Sequence, residues 1–128
     1  MRKFLLVALL SLFPCMANAD FSVAECGLIA ASLNTKYPKR LDEVATILKS
    51  DCMLGKGRTT LVYKVRLEGV AQNVIPALMT LMEKSERKAL CSGEQRSLLE
   101  EVNVQYRYSN PAGGHIGETT HKIEDCQR

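Results

Sequence analysis

Apolar and polar residues alternate from Val102 to Ser109: Val102, Val104, Tyr106 and Tyr108 against Asn103, Gln105, Arg107 and Ser109. A period of two predicts a strand with one buried and one wet face. Asn110-Pro111-Ala112-Gly113-Gly114 then has turn chemistry, since proline fixes its own φ and glycine takes positive φ without steric cost. The polar, β-branched run His115 to Glu124 can return along the first strand, so the C-terminal stretch predicts a hairpin closed by Cys126. Thr59 to Glu68 repeats the pattern, with Leu61, Tyr63, Val65 and Leu67 inward and Val62, Lys64, Arg66 and Glu68 outward.

Two stretches change to a helical period. From Ser22 to Asn34, Cys26, Ile29 and Leu33 share a face, and Pro38 prevents continuation. From Asn73 to Leu90, Val74, Leu78, Leu81 and Met82 form a core stripe widened by Ile75 and Met79, with Pro76 tolerated in the first turn. Ser92 and Gln95 have the spacing of a capping box for a short helix through Leu99. Leu41 to Leu54 fits two patterns. Leu41, Val44, Ala45 and Leu48 make a helical set; Val44, Thr46, Leu48, Ser50 and Cys52 make one face of a strand. The β-branched residues and the following Gly55-Lys56-Gly57 turn favour a strand, and with it a hairpin to Thr59.

The predicted order is α-β-β-α-β-β. An antiparallel sheet of about four strands with helices on one face would bury every apolar stripe, which makes the fold class α+β.

The first residues belong to a different kind of segment. Arg2 and Lys3 precede the apolar run Phe4 to Phe13, and Ala17-Asn18-Ala19 is a small-residue cleavage site, so Met1 to Ala19 reads as a secretory signal peptide cut before Asp20. Cys15 closes the apolar run as a lipoprotein cysteine would, but Phe13 and Pro14 stand where that signal wants small residues. Residues 20–128 then form one domain in the periplasm or outside the cell, with no further run of membrane-spanning length.

Export alters the meaning of charge and cysteine. Without Arg2 and Lys3 the 17 basic residues fall to 15, against 14 acidic, and no cluster resembles a nucleic-acid or polybasic membrane patch. Cys26, Cys52, Cys91 and Cys126 remain, an even set that reads as two disulfides. Four cysteines allow three pairings. The element order prefers Cys26–Cys52 and Cys91–Cys126, each within one helix-and-hairpin unit. No C-x-x-C supports redox work, and the spacings fit no zinc module.

The layout resembles a group of small uncharacterised exported proteins of Gram-negative bacteria. The resemblance rests on Leu41-Asp42, Leu61-Val62-Tyr63, Cys91 before Gln95-Arg96-Ser97-Leu98-Leu99, Val104-Gln105-Tyr106-Arg107-Tyr108, Ile116-Gly117 and Cys126. It implies export and the fold, and brings no catalytic residue, metal or cofactor.

Catalytic chemistry finds no support of its own. His115 and His121 sit in no nucleophile motif, and on a regular strand they would share a face roughly 20 Å apart, too far to ligate one metal. The acidic pairs Asp42-Glu43 and Glu100-Glu101 flank strands, and Gly55-x-Gly57 joins strands instead of opening a phosphate-binding helix. With no tryptophan, a stacking platform has little to build on. Binding is left. The expectation is a non-enzymatic module that recognises another cell-envelope protein: an inhibitor, an immunity protein, or an accessory factor of a secretion or pilus system. Lys64, Arg66, Gln105 and Arg107 are the candidate contact residues. The competing expectation is a small hydrolase or ligand carrier built on His115 or His121.

Overall fold

The computed structural model describes residues 21–55 and 57–127. The expected signal segment, its cleavage site and Cys15 lie outside them. Helix α1 spans Val23–Asn34 and strand β1 Lys39–Arg40; β2 spans Ala45–Leu54 and β3 Thr59–Leu67. Helix α2 covers Ile75–Cys91, α3 Gln95–Leu99, β4 Asn103–Ser109 and β5 His115–His121. Short 3-10 turns occupy Gln72–Val74 and Ile123–Gln127. No helix among the described residues is long and apolar enough to cross a membrane.

Local chemistry sets most of these boundaries. Ser22 starts α1 with a reciprocal capping box: its hydroxyl accepts from the Glu25 N–H, and the Glu25 carboxylate accepts from the Ser22 N–H. Pro76 lies in the first turn of α2, where its missing N–H costs nothing. The box expected at Ser92 does not form. Ser92 Oγ donates instead to the Lys88 carbonyl, and α3 starts from Glu94 without a side-chain cap. The β4–β5 turn closes through Gly113 N–H to the Asn110 carbonyl and Gly114 N–H to Asn110 Oδ1, with Gly113 at φ 92°.

The sheet has five strands in the order β1-β2-β3-β4-β5. It is mixed: β3 and β4 run parallel, from Thr60 beside Asn103 to Arg66 beside Ser109, and the other pairs are antiparallel. This corrects the antiparallel, roughly four-stranded expectation. The physical reason is the helical connection. Helices α2 and α3 carry the chain back to the end where β3 began, and a crossover of that length permits parallel pairing. The added strand, β1, pairs only with Thr46 and Ile47.

The helices of the described residues cover one sheet face. Cys26 and Ala30 of α1 pack on Leu61, Leu90, Leu99, Val102 and Val104, and beneath α2 lie Ala45, Ile47, Val65, Leu67 and Tyr108. Each buried leucine of this set contributes about 1.5–3 kcal/mol. Tyr63 and Tyr106, stacked with ring centroids 5.1 Å apart, pack against both clusters and join them. Helix α2 passes close over β5: a Cβ on Gly117 would stand 3.1 Å from Met79 Cε. Cys26 is bonded to Cys52 and Cys91 to Cys126, tying α1 to β2 and α2 to the C-terminal turn.

Two bulges decide which side chains face which way. In β2 the register shifts between Ile47 and Lys49. Ala45 and Ile47 are therefore inward before the bulge, and Ser50 and Cys52 after it, so Thr46 and Leu48 of the expected inner face are corrected, while Val44, just ahead of β2, packs against the inner cluster. In β5 the register shifts so that Tyr108 faces Gly117 and Ser109 faces His115. An extra residue, Ile116, puts His115 and His121 on opposite sheet faces, against the shared face expected of a regular strand.

Candidate partner-binding site

The face on which none of the described helices lies carries all four residues singled out from the alternation of β3 and β4. Lys49 of β2, Lys64 of β3, Arg107 of β4 and Glu118 of β5 stand side by side in one row. The next row holds Asp51, Val62, Gln105 and Thr120. On the other side lie Thr46, Arg66, Ser109 and His115.

These side chains form three polar groups. Asp51 lies 3.5 Å from the ammonium of both Lys49 and Lys64. Gln105, nearly buried, works in both directions: its Nε2 donates to Glu118 at 3.2 Å and Thr120 at 3.1 Å, and its Oε1 accepts from Arg107 Nε at 2.6 Å. Arg107 also directs a terminal nitrogen at Met53 Sδ, 3.2 Å away. Arg66 pairs along its own strand with Glu68 at 2.8 Å. The sequence brought out Lys64, Arg66, Gln105 and Arg107; the structure adds Lys49, Asp51, Glu118 and Thr120. Lys49 and Asp51 were legible as the outward partners of Ser50 and Cys52. Which strand lies beside which was not.

The histidines occupy different environments. His115 is exposed on the open face, 3.8 Å from Glu118. His121 is 1 % exposed on the inner face, its Nε2 2.8 Å from Glu86 Oε1 of α2 and its ring edge-on to Tyr106. Thr119 Oγ1 donates to the same carboxylate oxygen at 2.5 Å. This buried cluster clasps α2 to β5, and no substrate reaches an imidazole enclosed to that degree. The sequence reading missed Glu86. Its signal was position: Glu86 follows Met82 by four and precedes Leu90 by four, a carboxylate on an apolar stripe. Among the described residues no group of three or more His, Cys, Asp or Glu side chains could hold a metal.

Burial shapes the tyrosines of the inner face. It pushes the Tyr63 hydroxyl well above its ordinary range, reinforced by Tyr37, and Tyr106 likewise, reinforced by Tyr63, Glu86 and Tyr37. Both stay neutral, which suits a packed seam between two core clusters.

A second surface lies along α2. Val44, Val70, Ala71, Val74, Ala77, Leu78 and Leu81 line an apolar groove of about 360 Å³, with Val74 46 % and Leu81 64 % exposed. This corrects the continuous core stripe expected from Val74 to Met82. Leu78 and Met82 pack inward, while Val74 falls in the preceding 3-10 turn and Leu81 on the helix flank.

No protein-family model matches the chain, and no curated protein matches it in sequence. Solved structures share its fold. A Pseudomonas aeruginosa protein described as secreted is 11 % identical with a TM-score of 0.63, over 84 % of this chain and 98 % of its own. The pilotin EpsS of the Vibrio vulnificus type 2 secretion system is 14 % identical with a TM-score of 0.63, over 83 % and 92 %. The type II secretion pilotin AspS of Vibrio cholerae is 20 % identical with a TM-score of 0.58, over 81 % and 91 %. At these identities the likeness is one of fold.

Proposed function

We propose that this chain is a non-enzymatic protein-binding module of the Gram-negative cell envelope, an accessory factor of a secretion system, acting as a single periplasmic domain after cleavage before Asp20. The observation that carries the reading is the open sheet face. Among the described residues the helices all lie on one side of the five strands, and the other side presents ordered polar side chains on rigid strands with no helix over it. Flat, pre-ordered surfaces of this kind suit a protein partner better than a small molecule, which needs a concave pocket. The likeness to two secretion pilotins favours an accessory role over inhibitor or immunity protein.

Lys64, Arg66, Gln105 and Arg107 are the contact residues in this reading, with Lys49 and Asp51 beside them. The test is affinity purification of the tagged protein from its own periplasm, followed by mass spectrometry. The reading expects one envelope protein in stoichiometric amount. A protein recovered alone overturns it.

A further inference from the structure

Three cations stand abreast at the centre of the open face. Lys49 is the direct cross-strand neighbour of Lys64, and Lys64 of Arg107. Like charges directly opposite on a sheet oppose folding. The surrounding carboxylates do not cancel the row. Asp51 is shared between the two lysines, half exposed, where such pairs contribute little. Glu118, the cross-strand neighbour of Arg107, accepts from Gln105 instead. Among the described residues Arg107 therefore meets no carboxylate; its guanidinium is held by the neutral Gln105 oxygen and a thioether, a weak acceptor. A fold that keeps three cations abreast on rigid strands against one shared carboxylate, and fixes one guanidinium by its Nε edge, has a site prepared for anionic oxygens.

We propose that Lys49, Lys64 and Arg107 dock an acidic segment of the partner protein, with Gln105 orienting Arg107; this rests on the reading that the open face binds a protein. Neighbouring strands are about 4.8 Å apart, so the row spans roughly 10 Å. Carboxylates two residues apart on an extended segment, roughly 7 Å, fall within its reach. A nucleic acid suits the face less well, because Tyr63, Tyr106 and Tyr108 all pack on the inner side and leave no tyrosine platform outside. An anionic membrane suits it less well too. Of the exposed large apolar side chains, Val23, Leu28, Leu41, Val74 and Leu81 belong to helices and loops, Leu54 ends β2, and Met53 alone stands beside the row, engaged by Arg107, whereas surface-bound segments need several such anchors beside their cations.

The test uses a fluorescein-labelled decaglutamate peptide and the purified exported protein, read by fluorescence anisotropy, with phosphatidylglycerol vesicles and an oligodeoxythymidine as rival probes. The peptide should bind saturably and weaken as salt rises. Lys64→Glu/Arg107→Glu should lose about tenfold or more in affinity, while Lys88→Glu on exposed α2 should stay within about twofold. Circular dichroism verifies the fold of the reversed pair, and Lys64→Gln/Arg107→Gln takes its place if reversal disturbs it. Absence of binding, equal binding by the charge-altered pair, or preference for vesicles or oligonucleotide overturns the acidic-segment assignment. If a stoichiometric protein is nevertheless captured from the periplasm, the acidic chemistry alone falls and the protein-binding reading stands.

Discussion

The side-chain amide of Asn34, the last residue of α1, pairs with the backbone of Ser50 as a neighbouring strand would. Its Nδ2 donates to the Ser50 carbonyl at 3.0 Å, and its Oδ1 accepts from the Ser50 N–H at 2.7 Å. Strand β1 reaches only to Ile47, so this amide continues the ladder where β1 stops. Ser50, fully buried, adds a hydroxyl bond to the Ala30 carbonyl. The helix thus seals part of a sheet edge that could otherwise pair with another chain.

Asn34→Ala should therefore cost about 1–3 kcal/mol, the penalty for leaving partly buried backbone groups unpaired. Denaturant unfolding measures the loss, and faster hydrogen exchange at the Ser50 amide locates it. An unchanged midpoint would show that water replaces the side chain at no cost.

The disulfides join elements distant in sequence, with separations of 26 for Cys26–Cys52 and 35 for Cys91–Cys126. In the chain-entropy model each loop of this length is worth roughly 3–4 kcal/mol. Cys91→Ala/Cys126→Ala should lose somewhat more stability than Cys26→Ala/Cys52→Ala. Unfolding of each pair variant in guanidinium checks the order.

Glu86 and His121 should couple. Removing either leaves the other buried without its partner, so each single alanine variant should destabilise by about 1–3 kcal/mol and the double variant by less than the sum. A double-mutant cycle measures the coupling. Strict additivity would mean the 2.8 Å contact contributes nothing.

Tyr63 and Tyr106 set the alkaline limit. Burial, the first cause in both, raises their folded-state values above those of the unfolded chain. Below pH about 10 the hydroxyls are neutral in both states and stability is full. Above it the unfolded chain releases protons that the folded one retains, so stability falls as pH rises. Ultraviolet titration should show two tyrosines that ionise only as the protein unfolds, and Tyr106→Phe should flatten the alkaline fall.

The strands at Thr59 and Asn103 and the helix at Ile75 were legible because their apolar periods are long and uninterrupted. The inner tyrosines and the outward Lys64, Arg66, Gln105 and Arg107 followed directly. What escaped was tertiary. Nothing local says that β4 lies parallel to β3, yet that neighbour relation places Arg107 beside Lys64. The bulges at Leu48 and Ile116 each add one residue and reverse every side chain beyond, so half the β2 face and the position of His115 were misread. Glu86 acquires its meaning only once His121 comes to lie beneath it.

The central claim is that the open sheet face, and not the helical side, meets a partner protein. Photo-crosslinking in living cells tests it most directly, with a photoreactive amino acid introduced at Lys49 or Thr120 on the open face and at Lys84 or Lys88 on α2. The account predicts a discrete protein adduct from the open-face positions, diminished by Arg107→Glu, and none from the helical ones. Adducts confined to α2, or none from any position, would contradict it.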